Sequence, residues 1–501
     1  MDRIFKRKIY DDLLKWKTES RGRTAILIEG ARRVGKTTVV KEFARNEYRS
    51  FIYIDFLRKP RDIIRIIEDN YGDLDRMFLL LQRLTGVTLY DRNSAVVFDE
   101  VQNYAPARQL VKYLAEYGKY DIIETGSLIS IWKTVRDISI PSEEEIIVMH
   151  PMDFEEYLWA KGDTGTVPFL RESFRKLIPL GPLHRKIMQE YADYMLVGGM
   201  PQSVDAFLSE RSFAAAEKAK RLILRIYTQD TAKMIGGDMT DTAIFSNIPG
   251  ELSRHAKTFR PSDVRKGSLA ERYLGNVKWL EMSRMVNVCR CATEAAPALP
   301  LSENSGSFKI YMADTGLLFT AAFSGNVADP EIVYRGLEKG DLNVNRGMFA
   351  ENMVAQELAA LGYRLTFFTF YEEGSSNLHE IDFLISDAEN LVPIEVKSGL
   401  SGRHVSLDRF METYRPQGER AYVIHSKDLR VDGDVVYLPI YMTMFLDRSS
   451  FGTVLAAGEE RLDGYQERAM RLSETDREER TNPPEGRMPL TQAGNPPRDP
   501  R

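Results

Sequence analysis

Residues 30–38 read GARRVGKTT, between the apolar run TAILIEG (24–30) and the run TTVVKEFARNEY (37–48). The first run is short and partly β-branched, which predicts a buried strand ending at Gly30. The second predicts a helix. A strand, a glycine-rich loop and a helix start make an anion cradle, because backbone N–H groups turn inward and the helix N-terminus adds partial positive charge. The spacing G-x-x-x-x-G-K-T is complete. It assigns phosphate contact to Gly30, Ala31, Arg32, Arg33, Val34, Gly35, Lys36, Thr37 and Thr38. Lys36 reaches toward β- and γ-phosphates, and the Thr37 hydroxyl is placed to ligate Mg²⁺.

Such a cradle needs acids opposite it. AVVFDE (95–100) is an apolar strand ending in Asp99 and Glu100. Asp99 is expected to hold Mg²⁺ with Thr37, and Glu100 to polarise a water toward the γ-phosphate. DIIETGS (121–127) follows as another strand, with Thr125 and Ser127 at its tip. Ser127 joins Glu100 and Lys36 in the expected catalytic set, and the expected cofactors are ATP and Mg²⁺.

The 501 residues are enough for two to four domains, and the net charge of −5 does not imply wholesale coating of nucleic acid and leaves room for a local basic face. Cys289 and Cys291 are the two cysteines. They build neither a disulfide framework nor a zinc site, and two buried strand thiols fit a reducing cytoplasm. No apolar stretch approaches the length of a membrane span. The N-terminus MDRIFKRKIYDDLLKWK has charges within every apolar run, so it is not read as a signal peptide. Phe5, Ile9, Leu13 and Trp16 fall on one helical stripe.

Expected organisation follows from pattern and composition. Residues 1–20 form an amphipathic helix. Residues 21–160 are an α/β core with strands at 24–29, 51–56, 94–100, 120–126 and 144–150. Residues 161–235 form a helical lid, broken at VGGMPQS. Residues 236–340 suggest a winged-helix-like domain, and 341–450 a second α/β domain. Residues 451–501 make a polar tail, with six prolines in the last 29 residues, and are expected to be disordered.

GARRVGKTT, VVFDEVQ, ETGS and HPMDFEEYL, together with GGMPQSV and FKIYMADTGLL, resemble predicted AAA+ ATPases of bacteria and archaea that carry a second, uncharacterised C-terminal domain. The resemblance spans about residues 1–445 and implies ATP hydrolysis. Relatives often carry a Gly-Arg pair before PMDF. Here that segment is DISIPSEEEIIVMHPMDF and lacks it. Arg136 is the nearest substitute for an arginine finger.

Arg254, His255, Lys257, Arg260, Arg265 and Lys266 make the middle region locally basic. Such a face either meets a phosphate backbone or is a solvated flank of a protein-docking module. In HEIDFLISDAENLVPIEVKSG (379–399), Asp382 interrupts an apolar strand, and Glu395 and Lys397 share a face of the next. Glu351 lies on the preceding helix. The pattern resembles restriction-endonuclease-like folds. It implies that Asp382, Glu395 and Glu351 share a metal ion while Lys397 stabilises phosphorane charge. His379 is read as a turn residue.

Two functions follow. One is an ATP-driven enzyme acting on or near DNA. The other is an ATP-controlled switch whose distal domains dock proteins without cleaving anything. An oligomer is compatible with both, and a membrane with neither.

Overall fold

Strand β1 (Ala25–Gly30) is buried along its whole length at the heart of a parallel sheet. The computed structural model describes residues 3–126, 143–234, 240–254, 258–261, 273–323, 346–372, 374, 376–387, 390–398, 404–414 and 420–447. The sheet continues with β2 (Ser50–Asp55), β3 (Ser94–Asp99), β4 (Asp121–Gly126) and β5 (Glu144–Met149), in the order β2-β3-β4-β1-β5. All four pairings are parallel. Each expected strand is present within a residue of its predicted ends.

Helices cover both faces, as a parallel sheet requires. Helices Ile9–Ser20 and Lys36–Glu47 bury Leu13, Trp16, Val40 and Phe43 against Ile26, Ile28 and Val97. Helices Arg61–Asp69, Leu74–Thr85 and Ala105–Tyr117 pack on the opposite face against Leu27, Val96 and Phe98. Each fully buried aliphatic side chain stabilises this layering by roughly 1.5–3 kcal/mol. The N-terminal helix begins at Ile9, so the predicted stripe holds for Ile9, Leu13 and Trp16. Phe5 precedes the helix and packs instead on the cluster that contains Met152 and Tyr157.

Residues 166–234 are helical, as expected: Thr166–Arg175, Pro182–Val197, Pro201–Glu210 and Phe213–Met234. The break at Gly198-Gly199 has a packing cause. Gly198 has φ +79°, and a Cβ there would lie 2.5 Å from Asp314 Oδ1. A Cβ on Gly199 would lie 2.1 Å from the Met152 carbonyl oxygen. Asp314 accepts from the Gly199 N–H (2.6 Å) and from Leu317 N–H, capping helix Thr315–Ala322. Met152 N–H donates to Gly199 O (2.7 Å). Three separate segments, around Met152, Gly199 and Asp314, therefore meet at one point.

Helices Thr240–Leu252 and Leu274–Met282 precede a hairpin, β6 (Val286–Ala292) and β7 (Glu303–Met312). The hairpin is not self-contained. β6 pairs in parallel with β8 (Thr366–Tyr371), and β8 pairs with β9 (Leu378–Ile381), giving the sheet β7-β6-β8-β9. The predicted boundary at 340 thus falls between two halves of one sheet. Cys289 and Cys291 are buried free thiols on β6.

The chain then bends at Asp382 and enters a second sheet. This is β10 (Phe383–Asp387), β11 (Asn390–Lys397), β12 (Ala421–His425), β14 (Val435–Pro439) and the edge strand β13 (Arg430–Asp432). β10–β11 is antiparallel, and β11–β12 and β12–β14 are parallel. Helix Arg346–Ala360 lies before these strands and helix Val405–Tyr414 before β12. A single hydrophobic cluster runs from Met152 through Tyr311 and Met353 to Leu446, so the helices of residues 166–234, the hairpin and the C-terminal sheet share one core.

Candidate functional site: the phosphate loop and the C-terminal acidic cluster

The loop 30–37 lies at the carboxyl ends of β1 and β4, where the strand order reverses and open α/β sheets bind ligands. Gly30 is required by close approach: a Cβ would lie 2.4 Å from the Met149 carbonyl oxygen. Gly35 has φ +106°, a conformation open to glycine, and leads directly into helix Lys36–Glu47. Arg33 is also left-handed, with φ +71°. Arg32, Arg33 and Thr38 are exposed, while Ala31, Val34 and Lys36 are buried.

Lys36 Nζ donates to Gly30 O (2.8 Å) and Ala31 O (3.0 Å). Burial lowers its pKa, with the charges of Glu100 and Asp99 acting against that shift. A buried ammonium held by carbonyls of its own loop is ready to exchange them for phosphate oxygens. Thr37 Oγ1 lies 3.0 Å from both oxygens of Asp99, so a hydroxyl and a carboxylate already converge. That donor set suits a hard divalent cation accompanying a nucleotide.

The register Phe98↔Glu124 sets Asp99 and Thr125 side by side at the strand tips. Thr125 Oγ1 donates to Asp99 Oδ1 and accepts from the Glu100 N–H at 3.2 Å. Tyr53 OH also donates to Asp99. Glu100 has φ +54°, and its Oε2 accepts from Gln102 Nε2. Thr125 therefore fixes the position of both acids. Ser127 and Arg136 lie outside the described residues, as do His255, Lys257, Arg265 and Lys266.

Residues far along the chain complete the loop's surroundings, and none was legible locally. Arg7 is buried; it donates to Val34 O (2.9 Å), to His150 O (2.6 Å) and to Glu156 (2.9 Å). Arg32 Nη1 lies 2.9 Å from each oxygen of Asp230, and Tyr227 OH donates to Arg32 O. Both partners sit on helix Phe213–Met234. Arg284, between helix Leu274–Met282 and β6, pairs with the buried Glu29. On the same sheet face, Arg108 joins Glu124 and Glu144. Burial, with Glu144 alongside, pushes Glu124 up to about 8 despite Arg108.

Of the four C-terminal residues, Asp382, Glu395 and Lys397 act on one another electrostatically, and Glu351 meets them through Lys309. Asp382 stands at the bend between β9 and β10, and its Oδ2 accepts the Val396 N–H (2.8 Å). Glu395 and Lys397 share a face as expected, with Lys397 Nζ 2.5 Å from Glu395 Oε1. Burial and the neighbouring Asp382 raise Glu395 to about 7. Glu351 Oε1 accepts from Tyr311 OH and from Lys309 Nζ (3.4 Å), both on β7. Among the described residues, no three His, Cys, Asp or Glu side chains stand close enough to hold one metal ion. His379 lies in β9, not in a turn, with its ring stacked on Phe370 at 5.3 Å. In the basic segment, Arg260 is exposed and Arg254 lies 3.6 Å from Glu251.

Residues 22–158 match the family model for an AAA domain. Residues 188–326 match a domain of unknown function, DUF8612, and residues 346–442 another, DUF4143. No curated protein matches the chain. Among solved structures, the chain is similar to a Walker-type ATPase of Pyrococcus abyssi. That likeness has 17% identity over 64% of this chain and 96% of that one, with a TM-score of 0.39. It is also similar to Cdc6p of Pyrobaculum aerophilum, at 12% identity over 67% and 94% of the two chains and a TM-score of 0.22. Drosophila ORC bound to DNA aligns at 13% identity over 63% and 95%, with a TM-score of 0.23. No described helix is long and apolar enough to cross a membrane.

Proposed function

Starting from an AAA-type, ATP-binding domain at residues 22–158, we propose that this protein hydrolyses ATP and uses the nucleotide state to set the position of its helical and C-terminal segments. The observation that carries this reading is the set of bonds made by the phosphate loop itself. The Arg32 side chain and carbonyl are both held by helix Phe213–Met234, and Val34 O is held by Arg7. A loop that reshapes around phosphates cannot do so without disturbing these partners.

In this reading, Lys36 leaves the carbonyls of Gly30 and Ala31 for phosphate oxygens. Thr37 and Asp99 would hold Mg²⁺, which supplies charge neutralisation at the phosphates when bound. Glu100 accepts the proton of the attacking water, and Thr125 keeps Glu100 and Asp99 in register. The test is ATP turnover together with nucleotide-dependent hydrogen exchange in residues 213–234. Turnover without any change in exchange there would leave an ATPase and remove the switch.

A second reading places the target on DNA. It is supported by the exposed Arg260 in a basic segment and by the order of C-terminal elements. Helix Arg346–Ala360, the bent strand β9–β10, β11 with its Glu-x-Lys, then helix and parallel strand follow a nuclease-like order. Duplex binding by the full chain tests it.

A further inference from the structure

Lys309 has no place in the sequence-level account of the acidic cluster, yet it is the most enclosed charge there. It is fully buried on β7. Its Nζ lies 2.7 Å from Glu380 Oε1 and 3.4 Å from Glu351 Oε1. The Phe367 ring covers it at 4.9 Å. Tyr311, two residues on, donates to the same Glu351 oxygen. Asp382 also acts on Lys309: burial works against the ammonium, but Glu380 and Asp382 more than offset it and its pKa is raised. Lys397 pairs with Glu395.

We propose that the Lys309 ammonium is the resident cation of this cluster, standing where a nuclease-like site would hold a divalent metal, so that the C-terminal domain takes up no such ion and cleaves no phosphodiester. This rests on the nuclease-like reading above only for what the metal would have done. The bonds to Lys309 stand without it. Mg²⁺ demands near-octahedral oxygen ligation at close range. Here Glu351 is committed to an ammonium and a phenol, Asp382 to a backbone N–H, and a second cation would sit against the first. The ammonium comes from a different segment than the acids. The β6–β8 pairing and the bonds between Met312 and Asn352 deliver it, since β7 belongs to the hairpin and Glu351, Glu380 and Asp382 follow residue 346.

The test uses the full chain without nucleotide and free Mn²⁺ followed by electron paramagnetic resonance. Wild type is expected to show no Mn²⁺ uptake that Asp382→Asn removes. Lys309→Met should unmask the carboxylates. Its melting midpoint should drop near pH 8 and recover toward about pH 5 as carboxylates protonate. Mn²⁺ should restore part of the loss, and Asp382→Asn should cancel that restoration. If Lys309→Met does not fold, Lys309→Arg, which keeps the charge, is expected to retain the wild-type midpoint across the same range. Wild-type Mn²⁺ uptake that depends on Asp382 would overturn the assignment. So would a Lys309→Met midpoint loss that is the same at both pH values. Absence of duplex binding would count against the nuclease-like reading alone and leave the role of Lys309 intact.

Discussion

Arg284 sets its Nη2 3.1 Å from Oε2 of Glu29, a carboxylate 255 residues earlier in the chain. Glu29 is the last side chain before the phosphate loop and is 2% exposed. Its other oxygen has no partner among the described residues. Burial raises its pKa, and Arg284 is the largest influence in the other direction. Removing Arg284 would strand a buried charge. The guanidinium side chain is 38% exposed. The expected cost is therefore about 1–3 kcal/mol, below the full figure for breaking a buried pair. Protonation relieves a stranded carboxylate whose folded pKa is raised. The deficit of Arg284→Ala in urea melts should therefore be largest at alkaline pH and shrink as pH falls through that pKa.

For the chemistry, Glu100→Gln keeps the shape of the acid and removes its basicity. ATP should bind and persist, with turnover down roughly 10²–10⁴-fold, the usual contribution of a positioned base. Lys36→Ala should lose nucleotide affinity instead. Single-turnover assays with labelled ATP separate the two effects. Equal turnover by wild type and Glu100→Gln would reassign the base.

Asp230→Ala releases Arg32 but removes only a partly exposed ion pair, worth about 0–1 kcal/mol. Stability should hardly change. The nucleotide-dependent protection of residues 213–234 should fall, because the helix loses one of its two side-chain links to Arg32. Unchanged protection in this variant would show that Tyr227 alone, or neither residue, carries the link.

Asp314→Ala attacks the point where three segments meet. It removes a helix cap, worth about 0.5–2 kcal/mol, and orphans the buried Gly199 N–H, worth about 1–3 kcal/mol. A combined loss of about 2–4 kcal/mol is expected from denaturant melts. Asp314→Asn keeps one acceptor oxygen but sets an NH₂ donor against the other N–H, so it should recover only part of that loss.

If the basic middle segment meets DNA, affinity should fall with salt at a log–log slope of about −0.9 per phosphate neutralised. Arg260→Glu should then weaken binding on all sequences alike. Fluorescence anisotropy across a salt series decides this, and salt-independent binding would exclude a phosphate-backbone contact.

The core was legible because β1, β3 and β4 are buried along their whole length and, with the partly buried edge strands β2 and β5, read as short apolar runs, so all five fall within a residue of their predicted ends. The acids at strand tips and the loop glycines were legible because their spacing is local. Arg7, Asp230 and Arg284 were not: each meets the loop or its strand across 27 to 255 residues, with no nearby pattern to announce it. Lys309 did leave a trace. A lysine between Phe308 and Ile310, in a strand whose inner half is wholly buried, is a cation that must have carboxylate company. Glu351 is the converse case. Its helix and spacing fit a metal ligand, and only the β7 hairpin, arriving from another segment, shows what it binds.

The joint between β6 and β8 also has a mechanical meaning. Surfaces that merely touch can slide over one another, but Arg290, Cys291 and Ala292 lie in ladder register with Thr366, Phe367 and Phe368. A pull on the hairpin is therefore shared among several backbone hydrogen bonds loaded in shear, and the C-terminal sheet must follow it as a rigid arm. The same joint forbids surgery. A chain severed between residues 323 and 346 would leave two fragments, each with an open strand edge seeking the other, and such edges are templates for aggregation.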